Sequence, residues 1–125
     1  MKRYDPDVGP DETEWLETPE GERFEMVIAY HRRRRISLPN PRFHAAIHVV
    51  VENQIALGEE VVVEALDRLR RQGLSRHDAI HAIGMVLNEH IFNVLKSGGE
   101  PTPELHAPYF ERLKHFSADD WRRSG

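Results

Sequence analysis

A chain of 125 residues with 39% hydrophobic and 30% charged side chains has the size and balance of one folded domain rather than a disordered tail. Its formal net charge of −4 speaks against a general binder of nucleic acid or anionic membranes, both of which require a basic excess. The lack of cysteine removes disulfides, iron–sulfur clusters, thiolate zinc sites and cysteine nucleophiles together, so any metal must be held by nitrogen and oxygen.

Residues 1–13 read as a loose polar lead-in, acidic and proline-containing, with Trp15 and Leu16 expected to dock on the core. No apolar stretch follows Lys2 and Arg3, and no other stretch is long enough to span a bilayer. Neither a signal peptide nor a membrane anchor is therefore predicted, and the expected location is the cytoplasm. Thr18-Pro19 starts a helix, because a proline in the first turn loses no needed hydrogen bond. Phe24, Val27, Ile28 and His31 then recur at helical spacing to about Arg35. The basic run Arg32 to Arg35 suits the carboxyl end of that helix, where the dipole favours positive charge, better than it suits an anion patch.

Asn40-Pro41 opens a second helix, and Gly58 stops it. Glu59 to Gln72 carries Val62, Leu66 and Leu69 on one stripe and closes at Gly73. Ser75 with Asp78 three residues on resembles a capping box and begins a fourth helix that runs to about Ser97, before Gly98-Gly99. Thr102-Pro103 introduces a fifth, Glu104 to Phe116, and Ser117 a last short turn. The β-branched runs Val49 to Val51 and Val61 to Val63 both lie inside helical periodicity, so no strand competes. The predicted fold is all-α: one compact domain over 1–125, a bundle of four to five helices.

Histidine carries the chemistry. Helix residues four apart stack one turn above each other, so His44 and His48 share a face, as do His77 and His81. Two imidazoles at this spacing can reach a single cation, as in helical zinc motifs. Glu52 continues the first row by one turn, and His31 lies in register with the apolar stripe of the first helix. Ala45, Ala46, Ala79, Ala82 and Gly84 are small enough to let helices approach closely around the rings. Four unpaired imidazoles would be costly to bury, and a shared cation removes that cost. The alternative is a hydrogen-bonded polar core. His90 faces away from His81, and His106 and His115 have no spacing argument.

The expected ligands are His44, His48, His77 and His81, with Glu52 and His31 next and Asp78 orienting a ligand from behind. Nitrogen-rich ligation favours zinc, with nickel, copper and iron open. Catalysis has little support. A di-iron site would need two Glu-x-x-His units, and Asp78-x-x-His81 is the near match. In His77-Asp78-x-x-His81, the aspartate is a methylene too short for the general base of a zinc peptidase. The His77-Asp78 pair could suit a phosphohydrolase, but Asp119 is too near the tail to complete it.

The run Asn40-Pro41-Arg42-Phe43-His44-Ala45-Ala46-Ile47-His48, ending with Gln54, resembles the signature of a small bacterial family, domain of unknown function 1841. The similarity resumes at His77 to His81, at Gly99 to Glu104 and at Tyr109 to Leu113, so it covers about Asn40 to Leu113. Met85 departs from it, standing where the family pattern has a carboxylate one turn beyond the second pair. The resemblance implies a helical fold with grouped histidines and no particular activity. The leading expectation is a cytoplasmic, metal-binding helical protein whose catalytic residues, partner and oligomeric state are open. Its competitor is a non-catalytic interaction module with structural histidines, using Arg32 to Arg35 or an apolar helix face, for a second copy among other partners.

Overall fold

The computed structural model describes residues 3–36, 39–98, 102 and 104–124. Among the described residues seven helices make up the architecture: α1 (Glu12–Glu17), α2 (Glu20–Arg33), α3 (Pro41–Ala56), α4 (Glu60–Arg71), α5 (Arg76–Ser97), α6 (Ala107–His115) and α7 (Ala118–Ser124). No strand occurs among the described residues. None of the helices is long and apolar enough to cross a membrane.

The punctuation read from the sequence has a hydrogen-bonding basis. The Asn40 side chain accepts from the Phe43 N–H at 3.1 Å, and Ser75 Oγ accepts from the Asp78 N–H at 3.0 Å, each filling one orphan donor of a helix start. At the far end of α5, Gly98 takes the left-handed conformation, φ 65°, that closes a helix cheaply only at glycine. Four to five helices were expected, and the two additional ones are the shortest. α1, a six-residue helix capped by Asp11, begins at the end of the expected lead-in, and α7 elaborates the expected last turn. Elements of two turns or fewer are too short to display a 3.6-residue period. The fifth expected helix begins later, at Ala107; Gly99 to Pro101 and Pro103 lie outside the described residues.

α3 is the central element and packs against α1, α2, α4 and α5. On one side Val51 and Ile55 join Leu66 and Leu69 of α4, Ile80 and Ile83 of α5, and Leu113 of α6 in the larger core. On the other side Ala45 and Val49 join Tyr4, Trp15, Val27 and Tyr30 in a smaller one. Each fully buried aliphatic side chain, such as Leu69 or Ile83, contributes about 2 kcal/mol, so both seams of α3 are firmly held. The α3–α5 seam is tight at Gly84, where a Cβ would stand 2.9 Å from Ile47 Cγ2. Ala45, Ala79 and Ala82 are fully buried as expected, whereas Ala46 faces solvent and does not serve the approach.

The amino-terminal segment differs from the loose lead-in expected over 1–13. Tyr4 is 1% exposed, and the Pro6 carbonyl accepts from Arg76 Nη1 at 2.9 Å. Gly9 runs so close to the Arg76 guanidinium that a Cβ would come within 2.7 Å of Cζ. A lone tyrosine in a polar stretch has no periodicity, yet its ring has a pocket between Trp15 and Tyr30. Trp15 docks on the core as expected, with its indole N–H donating to Asn53 Oδ1 at 2.8 Å; Leu16 stays partly exposed.

Candidate metal centre

Three helices supply the site. α3 carries His44 and His48 one turn apart, α5 brings His81 across the Gly84 seam, and α2 delivers His31 from the third side. Each of these four side chains offers a ring nitrogen, and the four nitrogens lie within 4.8 Å of one another. The Nε2 atom of His81 is 3.0 Å from that of His48 and 3.2 Å from that of His44. Ligands at the ~2.0–2.1 Å of a zinc–nitrogen bond stand about 3.3–3.4 Å apart in a tetrahedron, so these three are spaced for a common ion. The remaining separations in the group stay within 4.8 Å.

The rings are oriented from behind. A backbone carbonyl can only accept, so the 2.9 Å contact between His31 Nδ1 and the Val27 carbonyl puts the proton on Nδ1 and leaves a lone pair on Nε2. Nε2 of His31 is buried and has no hydrogen-bond partner. For His48 the argument runs through Tyr4. The phenol donates to Glu52 Oε2 at 2.5 Å, so its oxygen accepts the Nδ1 proton of His48, 3.1 Å away, and Nε2 again keeps a lone pair. Protonated, His81 Nε2 can donate to only one of its two neighbours; unprotonated, its lone pair faces that of His48.

Electrostatics disfavour the protonation of His44, His48 and His81. Burial, reinforced by the other imidazoles, lowers His44 to about 4 and His81 to about 3. His48 is pushed further down, again by burial first and then by His81, His44, His31 and His77. His77 is also lowered by burial, with Asp7 opposing. Neutral imidazoles are the protonation state that binds a metal.

The structure redistributes the expected ligand set. His31, expected as a secondary candidate, stands among the four converging nitrogens, whereas His77 does not. The His77 ring packs on His81 with centroids 4.2 Å apart, yet its Nε2 is buried without a partner outside the group. Its ring centroid stands 5.5 Å from both Tyr30 and His48 and 6.3 Å from His31, so it borders the cluster without joining the converging nitrogens. Glu52 likewise falls outside the group. Its carboxylate receives Arg76 through two bonds, 2.9 and 2.8 Å, besides the Tyr4 phenol, so its oxygens are already engaged. Asp78, expected behind a ligand, is exposed, and Tyr4 and the Val27 carbonyl fill that role instead.

Tyr4 and Arg76 were not singled out from the sequence. Arg76 opens α5 directly after its cap, a place where a buried cation runs against the helix dipole. Burial opposes its charge, and the Glu52 hydrogen bonds more than restore it. Gln54 and Tyr109, both within the motifs quoted above, meet through a 2.7 Å bond from the phenol to Gln54 Oε1. His90 and His106 form a separate pair, 3.2 Å between ring nitrogens. His115 is exposed beside Glu111. The run Arg32 to Arg35 is exposed at the end of α2, where Arg33 donates to the Tyr4 carbonyl.

A cleft of about 370 Å³ opens against the site, lined by His44, His48 and His81 together with Phe43, Ile47, Ile80, Met85 and Trp121. Comparison with known proteins finds no matching family model, no matching curated protein and no matching solved structure.

Proposed function

We propose that this protein binds a transition-metal ion, zinc in the first place, through His31, His44, His48 and His81. The observation that carries the proposal is the set of Nε2 atoms facing one another at 3.0 and 3.2 Å while the outer nitrogens of His31 and His48 are tied down. A hydrogen-bonded polar core would leave fewer lone pairs opposed and would find a partner for His31 Nε2, which has none. Imidazole donors suit zinc, copper, nickel and iron, and the neutral donor set contains no group that selects calcium or magnesium.

The test is elemental analysis of tag-free protein. One equivalent of metal is expected, lost in His81→Ala and retained in His115→Ala. Metal at a hundredfold excess over its Kd stabilises the fold by about 2.7 kcal/mol, so chelator should lower the melting temperature measurably. Equal metal content in the two variants would discard the ligand assignment. The competing reading, an interaction module with structural histidines, draws on Phe92 and Leu95, which are 61% and 76% exposed on α5. A metal-free protein whose melting ignores chelator would favour it.

A further inference from the structure

The charge balance of the site specifies what else it takes. Four imidazole donors contribute no negative charge, so a divalent ion held by them would keep both its charges. Glu52 is the buried acid of the described residues, and Arg76 neutralises it across two hydrogen bonds. The adjoining cleft contributes no compensating group either: its lining includes Asn40 and Asn88 but no Asp, Glu, Lys or Arg. An uncompensated cation beside low-dielectric walls attracts an anionic donor far more strongly than it would in water. His44, His48 and His81 belong to both the ion site and the cleft wall, whereas His31 lines only the former. An ion held there would be reached from the cleft, whose volume of about 370 Å³ falls within the ~300–1,000 Å³ of small-molecule sites.

We infer that this cleft binds a small organic monocarboxylate, its head coordinating the histidine-held ion and its apolar body lying against Phe43, Ile47, Met85 and Trp121. The inference rests on the proposed metal site and adds the ligand class. Head and body are separable requirements. The carboxylate answers the uncompensated charge, and a ring-sized body answers the apolar walls.

The full chain loaded with cobalt(II), whose visible bands report its ligands, tests both. Cobalt uptake is measured first, and benzoate, acetate and benzamide are then titrated. Benzoate should alter the bands and bind at least about tenfold more tightly than acetate, the gain expected from burying a six-carbon ring. Benzamide, with the same body and no charge, should leave the bands unchanged. Phe43→Ala, at a side chain already 43% exposed and so dispensable for folding, should keep its cobalt and lose most of the benzoate advantage. Cobalt bound with benzoate no tighter than acetate, or an advantage untouched in Phe43→Ala, overturns the cleft assignment and leaves the metal site standing. A chain that takes up no cobalt overturns both.

Discussion

Replacing Tyr4 by Phe isolates the support behind the proposed metal centre from its proposed ligands. The phenol bridges His48 Nδ1 at 3.1 Å and Glu52 Oε2 at 2.5 Å, and the ring is 1% exposed. Burial and the neighbouring Glu52 charge hold its pKa well above the ordinary value, so it stays a proton donor to that carboxylate. Phe preserves the ring packing against Trp15 and Tyr30 and deletes only the hydroxyl. Glu52 keeps its two bonds to Arg76, but the Nδ1–H of His48 is left buried and unpaired. One orphaned buried donor costs about 1–3 kcal/mol. For a domain of this length that amounts to a fall of roughly 8 °C in Tm for a loss of about 2 kcal/mol. Freed from its anchor, the His48 ring also loses its fixed tautomer, and loss of such an outer partner weakens metal binding about 10–100-fold. Calorimetric melting of the metal-free protein and chelator competition for zinc read the two effects separately. A Tm loss of the expected size with zinc affinity unchanged within about twofold would refute the tautomer argument, because the phenol would then be a packing element alone.

Two further perturbations probe the same framework. Arg76→Met removes the partner of a carboxylate whose side chain is 1% exposed, and should destabilise the fold by about 3–5 kcal/mol in urea denaturation. The double variant with Glu52→Gln should recover much of this loss, and a single-variant loss below about 1 kcal/mol would show that water reaches Glu52. Lowered histidine pKa values make the metal-free fold acid-sensitive. His81 takes its proton at about 6.5 when unfolded but at about 3 when folded, and His44 at about 4, so the unfolded chain binds more protons in between. Stability is full above pH ~6.5 and falls as the pH drops toward 4, by about 2 kcal/mol at pH 5 from His81 alone. Melting of the metal-free protein that is flat from pH 7 to pH 5 would contradict the burial of these rings.

The helices and the two histidine rows were legible in the sequence because both are local properties. Caps at Asn40 and Ser75, the glycine at 98 and spacings of four residues act within one or two turns of chain. What surrounds the rows was decided by tertiary packing. His31, a secondary candidate from its register, enters the group because α2 packs on α3 and sets its ring 4.8 and 5.2 Å from those of His44 and His48, while His77 packs against the same rings without bringing a nitrogen into the group. Glu52 reads as a ligand one turn below His48, yet an arginine 24 residues away and a tyrosine 48 residues away claim its oxygens. No spacing rule connects residues so far apart in a chain, since their meeting depends on how whole helices cross. The ability to place two imidazoles on one helical face is thus written in the linear order of residues, and which third and fourth groups complete the site is a property of the folded bundle.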